Sequence, residues 1–417
     1  MVADRPTSLR HFAVVCVLAL LGVLGVSVPA SPATHSGEEP SVAERIAGRE
    51  FPSVFQSWSP ADNLPGESPL DTAARHDLLW NLPEYFGLRW NSPYRLAADG
   101  FIEGTVEAGR QMRATLLERN PSMVLLAELR YRDSPAGDLP DSSPWWQRDA
   151  SGQRILGWPE GSHYLLDWHN DAFRAQVARQ AQALVGSGVV DGVLLDWWGA
   201  EGEDPDRLKL LQAIRQAIGP DAVILVNSNW TIPEKSAPYI NGLYMETTIP
   251  SKADEAAEWR NAAQTLLWAE SALRAPTLNA VETWTCSGAA PFAVPCTANA
   301  RSTLNRMRAT TTLVLTHSSG YALYSDPNGL PTPDHLHDWY PFWDKSLGRP
   351  VAAGRQRDDG AVQREFERGN VVYNPINNGP VEVTFDSPRR SAASGEVATT
   401  FTLDSFDGDL YLVDVSD

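Results

Sequence analysis

Val189-Val190-Asp191-Gly192-Val193-Leu194-Leu195-Asp196-Trp197-Trp198 is a short, nearly all-apolar run, entered through Gly186 and Gly188. Such a run, bounded by turn signals, reads as a strand buried on both faces. Strands of that kind belong in a parallel sheet or barrel, where the chemistry sits at their C-terminal ends. Asp196 stands at that end, with two tryptophans after it. It reads either as a catalytic carboxylate with Trp197 and Trp198 as a sugar-binding wall, or as an ordinary aspartate capping the next helix. The run alone does not separate the two.

Outward from this run, residues 51–58, 76–81 and 123–129 precede it as strand candidates, and 222–227, 240–246, 277–282 and 321–325 follow it. Helical patterns over 105–119, 171–185, 206–218, 254–272 and 298–316 alternate with them. Eight strands in that rhythm predict a (β/α)8 TIM-type barrel, an α/β fold spanning 51–353. An open doubly wound sheet is the alternative, but no Gly-rich dinucleotide fingerprint follows an early strand. Residues 354–417 change character to short alternating segments split by Asn-Gly-Pro, Ser-Pro and Asp-Gly turns, which predicts a small, sandwich-like C-terminal all-β domain. Residues 132–170 form a long loop region carrying Trp145, Trp146, Trp158 and Trp168; a loop of that length is usually functional.

The 417 residues are 43% apolar and 21% charged, which describes a soluble globular protein. A formal net charge of −18 argues against nucleic acid as a partner, because phosphate contacts need clustered Lys and Arg. Fifteen tryptophans favour a carbohydrate partner, since flat aromatic faces pack on sugar rings, although core packing claims many of them. Arg5, Arg10, the apolar run over 12–28 and Val28-Pro29-Ala30 read as a signal peptide over 1–33, so the chain is expected to be secreted and free of the membrane after cleavage. Residues 34–50 read as a flexible linker. Cys286 and Cys296 are expected to close a local disulfide loop. A monomer without cofactor is expected.

A barrel brings strand ends together at one rim, and the rim candidates are Glu128, Asp196, Asn227, Glu246, Glu282 and Asp326. Several carboxylates there suit glycoside hydrolysis, in which one carboxylic acid protonates the leaving oxygen and a second carboxylate attacks or activates water. Glu128 either bonds a sugar hydroxyl or pairs with Arg130 or Arg132. Asn227 holds substrate, orients Asp196, or forms a turn. Asp326, before Pro327, is a turn or rim residue. Trp58, Trp197, Trp198 and the loop tryptophans are expected to line the cleft. His335-Leu336-His337-Asp338, and His163 with His169, offer metal-ligand chemistry, but no HExxH spacing occurs and no metal is expected. No G-x-S-x-G elbow supports a serine hydrolase.

Asp191-Gly192-Val193-Leu194-Leu195-Asp196, Asn227-Ser228-Asn229 and Tyr239-Ile240-Asn241-Gly242-Leu243-Tyr244-Met245-Glu246 together resemble an uncharacterised bacterial branch of glycoside hydrolases related to the endo-α-1,4-polygalactosaminidase family. That resemblance implies a (β/α)8 barrel whose catalytic pair follows strands four and six, which places it on Asp196 and Glu246. Asp196 would be nucleophile or electrostatic stabiliser, and Glu246 general acid/base. Asp196 with Glu282 is the competing pair. A carbohydrate-binding barrel without catalysis and a metal-dependent deacetylase are the remaining alternatives.

Overall fold

The structure is a computed structural model describing residues 39–158, 162–199, 203–247, 254–284, 300–325 and 335–413. The expected signal peptide, the Cys286–Cys296 disulfide and Asp326 lie outside the described residues.

Eight strands run in parallel and pair in chain order. They are β1 (Phe55–Ser57), β2 (Leu78–Asn81), β3 (Val124–Glu128), β4 (Gly192–Leu195), β5 (Val223–Asn227), β6 (Gly242–Thr247), β7 (Ala280–Trp284) and β8 (Tyr321–Ser325). The ring closes where the Ala322 N–H donates to the Ser53 carbonyl at 3.0 Å, beside a Val54–Ala322 bridge. The (β/α)8 barrel is therefore complete, with an all-β unit after it.

Strand side chains alternate between faces, and the two faces meet different partners here. Leu78, Trp80, Val124, Leu126, Leu194, Val223, Leu225, Tyr244, Ala280 and Leu323 fill the barrel interior. The intervening Leu79, Leu125, Val193, Leu195, Ile224, Val226, Met245 and Val281 pack outward on the helices. Burial on both faces is why these strands read as continuous apolar runs.

The repeated Asp/Asn-Gly pairs belong to the base of the barrel. The Asp191 carboxylate accepts the Leu125 N–H at 2.8 Å, and the Asn241 side chain accepts that of Ile224 at 3.0 Å. Gly192 and Gly242 follow because a Cβ at either would collide with the neighbouring Val223 or Leu278 carbonyl. Half of the motif is thus scaffold, and only its far end reaches the rim.

Helices follow from caps and Pro placement. Asn170 caps α4 (Asp171–Gly186), and Asp204 caps α5 (Pro205–Ile218) with Pro205 in the first turn. Asp254 caps α6 (Glu255–Ala272); α2 (Pro69–Ala74), α3 (Thr105–Arg119) and α7 (Ala300–His317) complete the set among the described residues.

Two expectations differ from the structure. Within the span read as a linker, α1 (Val42–Gly48) is a helix with a Ser41–Glu44 capping box. Buried Arg45 pairs with Asp191 and donates to the Met123 carbonyl at 2.6 Å, so this segment is tied to the barrel base. The 132–170 region is also not all loop. It contains a small antiparallel sheet of Asp133–Pro135, Leu156–Trp158 and His163–Leu165.

The C-terminal part is one antiparallel sheet of β9 (Arg355–Gln356), β10 (Val362–Phe366), β11 (Gly369–Asn374), β12 (Val381–Ser391), β13 (Val397–Leu403) and β14 (Asp407–Val413). Its order is β9-β10-β11-β14-β12-β13. Phe366, Val371, Tyr373 and Leu410 join the barrel's own apolar clusters, and Arg308 of α7 forms a bidentate pair with Asp407 at 2.8 and 2.7 Å. Val372, Val383, Phe401 and Tyr411 form a separate cluster on the sheet.

Candidate active site

The alternation that fills the barrel also aims its upper residues inward. On β3 to β7 the inward positions end in Glu128, Asp196, Asn227, Glu246 and Glu282, with Ser57 and Ser325 closing the ring from β1 and β8. Residues scattered from 57 to 325 therefore converge.

At the centre, the Asn227 amide Nδ2 donates to Asp196 Oδ1 at 2.8 Å and to Glu246 Oε2 at 3.0 Å. Legs of that length to one nitrogen hold those two oxygens within about 6 Å of each other. The Trp197 N–H adds a bond to Asp196 Oδ1 at 2.9 Å, and the Asn229 side chain accepts the Glu246 N–H at 3.0 Å. Both carboxylates are half-buried, so they are partly desolvated yet reachable. Burial pushes the Asp196 carboxyl up to about 6, helped by the Glu128 charge and opposed by its hydrogen bonds. Burial pushes Glu246 up to about 7; the His335 charge opposes this, while Glu282 and Asp196 add to it. The arrangement separates the pair into a carboxylate that ionises first and an acid that keeps its proton longer.

Glu282 is different. The seventh strand runs two residues further than expected, to Trp284, so Glu282 lies inside the strand and is 0% exposed. It accepts from His335 Nδ1 at 2.8 Å, Trp284 Nε1 at 2.6 Å and Ser57 Oγ at 3.4 Å, and from the Tyr244 and Ser325 hydroxyls. Burial alone would raise its pKa, but the His335 charge and these donors outweigh it and hold the group below its ordinary value. Glu282 is an anchored anion, not a group free to attack substrate.

Glu128 is also held, by Trp58 Nε1 at 2.7 Å and Arg130 Nη2 at 3.3 Å, so the Arg130 pairing is the one the fold realises. Trp58 is half-buried, with a left-handed φ of 51°, and its ring lies 4.8 Å from that of His335. Beyond Glu128 and Arg130 lies a small recess of about 30 Å³ lined by Glu84, Trp90, Arg95 and Leu129.

The two tryptophans after Asp196 part company. Trp197 is 41% exposed with φ 56°, and the Arg132 guanidinium lies 4.8 Å from its ring centre. Trp198 is 1% exposed, donates to Ser236 Oγ at 3.1 Å and stacks under Arg207 at 4.5 Å. It is a packing residue and cannot line a cleft. Trp146 and Trp168 of the long loop are likewise buried. The turn after β4 reverses the chain, and so sends consecutive side chains to opposite environments.

His335 was expected only as metal-ligand material, yet it sits between Glu282 and Glu246, with Nε2 3.9 Å from Glu246 Oε1. Burial works against its charged form, but Glu282 outweighs this and pushes it up to about 9. Its near neighbour His337 is buried against His76 instead, Nε2 to Nε2 at 2.9 Å, and His163 pairs with Asp133 at 3.1 Å. His169, Asp204 and Asp206 bring ligand atoms within 4.8 Å of one another. Asp204 already caps α5 there, and Asp206 pairs with Lys209 at 2.8 Å. What could have pointed to His335 was its place just after the eighth strand, on the same rim.

No protein-family model matches the sequence, and no curated protein matches it. Among solved structures, the fold is similar to an α-amylase from Lactobacillus plantarum, with a TM-score of 0.53 and 12% identity, covering 89% of this chain and 99% of that one. It is similar to a pullulanase from Anoxybacillus sp. LM18-11, solved with maltotetraose, with a TM-score of 0.54 and 9% identity, covering 92% and 73%. Amy13B of Eubacterium rectale gives a TM-score of 0.52 at 12% identity, covering 91% and 100%. At such identities the likeness is one of fold: a (β/α)8 barrel followed by a β unit.

Proposed function

We propose that this chain is a secreted glycoside hydrolase that cleaves a polysaccharide or glycoconjugate with retention of anomeric configuration, using Asp196 and Glu246 and no cofactor. The observation that carries this reading is the single Asn227 amide joining two carboxyls of unequal proton affinity at the open end of the barrel. Two carboxyls that share one donor, with the bonded oxygens within about 6 Å, are compatible with the roughly 5–5.5 Å between carboxyl groups of retaining enzymes.

Glu246 gives its proton to the glycosidic oxygen as that bond breaks, and Asp196 Oδ attacks the anomeric carbon to form a glycosyl ester. Water then attacks the same carbon, gives its proton to Glu246, and releases Asp196. Exposed Trp197 and half-buried Trp58 supply aromatic surface for sugar units. Similarity of fold to an amylase and a pullulanase supports carbohydrate chemistry on this scaffold. The convergence of Asp196, Asn227 and Glu246 supports kinship with the polygalactosaminidase-related group.

The test is a screen of purified protein against bacterial and fungal polysaccharides, followed by the two variants on whichever is cleaved. Asp196→Asn and Glu246→Gln are each expected to fold and to lose about 10²–10⁴-fold or more in turnover. Full activity in either variant, or glycan binding with no cleavage by the native protein, would refute the reading. NMR of the first-formed product is expected to show the substrate's own anomer.

A further inference from the structure

The two-carboxylate reaction leaves Glu282 and His335 without a stated part, although they make the densest hydrogen-bond network at the rim. Glu282 and Glu246 are register partners on adjacent parallel strands, so their backbones lie about 4.8 Å apart. Two inward carboxyls at that spacing repel when both are ionised. His335 is placed to relieve this. Its left-handed backbone, φ 60°, turns the ring so that Nδ1 meets Glu282 Oε2 at 2.8 Å and Nε2 faces Glu246 Oε1 at 3.9 Å. Only an imidazolium has an N–H on both ring nitrogens.

The charged groups facing the ring are Glu282 from β7, Glu246 from β6 and, further off, Asp196 from β4. Tyr244 brings its hydroxyl to 3.3 Å from Nδ1, and Trp58 and Trp284 cover the ring at 4.8 and 5.8 Å. The His335 charge and the donors on Glu282, His335 Nδ1 among them, together keep that carboxylate ionised.

We propose that Glu282 and His335 are a positioning pair for the acid/base: Glu282 holds His335 as an imidazolium, whose Nε2–H stabilises the carboxylate that Glu246 becomes each time it protonates the leaving oxygen. The inference rests on Glu246 as the acid/base. In the first step Glu246 goes from neutral to anionic while His335 keeps both protons and Glu282 its charge. In the second step the proton that Glu246 takes from water returns it to neutral. The pair gains and loses nothing; it supplies a fixed positive charge where a negative one appears and disappears.

The test needs no substrate. In protein labelled at glutamate carboxyl carbons and histidine rings, NMR follows the titration of Glu246, whose signal is the one lost in Glu246→Gln, and of His335, lost in His335→Gln. His335 is expected to titrate near pH 9 in the native protein, and in Glu282→Gln to fall toward its ordinary value near 6.5. In His335→Gln, which keeps a donor for Glu282 but no charge, the Glu246 midpoint is expected to move to higher pH by roughly one unit or more. An unmoved Glu246 midpoint overturns the proposal, and so does a native His335 that titrates at or below its ordinary value. The native His335 titration can overturn the proposal even where Glu282→Gln fails to fold. Full turnover by Glu246→Gln would instead remove the catalytic assignment while leaving the titration shifts intact.

Discussion

Asn227 shows how one neutral side chain can organise two acids. Its Nδ2 lowers the proton affinity of both carboxyls while burial raises it, and burial wins at each. Turnover needs Asp196 ionised and Glu246 protonated, so the rate is expected to rise with pH through about 6 and fall through about 7. Asn227→Ala removes a donor from both groups and is expected to move both limbs of a pH–rate profile upward. The same shifts bear on stability. The folded-state value of Glu246, about 7, lies above its ordinary 4.5, so its contribution is full at low pH and is lost as pH rises through about 7. Glu246→Gln cannot ionise. Urea unfolding is therefore expected to find it more stable than the native protein at pH 8, by on the order of 2–3 kcal/mol, and equal to it near pH 4. The paired tryptophans separate just as cleanly. Trp198→Ala is expected to cost about 3–5 kcal/mol of stability through the cavity it leaves, whereas Trp197→Ala is expected to unfold normally and weaken glycan binding measured by titration. Asp196 and Glu246 were legible as candidates from their places at strand ends. The roles of Glu282 and His335 were not, because those depend on a strand running two residues further and on a ring delivered from beyond β8.

At the scale of elements, an Asp or Asn just before β4, β6 and β7 carries a backbone bond of the neighbouring strand. Asp191 takes the Leu125 N–H, Asn241 that of Ile224, and Asn279 that of Leu243 at 3.0 Å. The glycines let adjacent strands close up. Asp191 also anchors α1 and α3, through Arg45 and through Arg113 at 2.8 Å, both buried. Arg45→Ala leaves Asp191 its Arg113 partner but removes a buried charged hydrogen bond, so it is expected to cost roughly 1.5–3 kcal/mol in denaturant unfolding. Because this clamp lies at the base, the turnover of the folded fraction is expected to be unchanged. The span around Arg45 read as a linker because it is small and charged, and nothing local reveals that its arginine has a buried partner 146 positions away.

For the whole molecule, residues of the C-terminal sheet join both apolar clusters of the barrel, and Thr312 of α7 packs so closely against Gly408 that no side chain fits there. Calorimetry is expected to show a single cooperative transition, and a chain ending before residue 355 is expected to be insoluble because the face of α7 bearing Arg308, Thr312 and Leu315 would lie bare. Among the described residues no helix is long and apolar enough to cross a membrane. The sequence by itself determined the barrel and offered the acids at its rim as candidates, since apolar strand runs, caps and turn residues are local signals that recur along the chain. Tertiary structure alone decided which carboxylates share a hydrogen-bond donor, which one is neutralised by a histidine, and which tryptophan faces solvent. Those outcomes depend on distances between residues far apart in the chain, where desolvation and Coulomb energy act through space and leave no periodic trace in the order of residues.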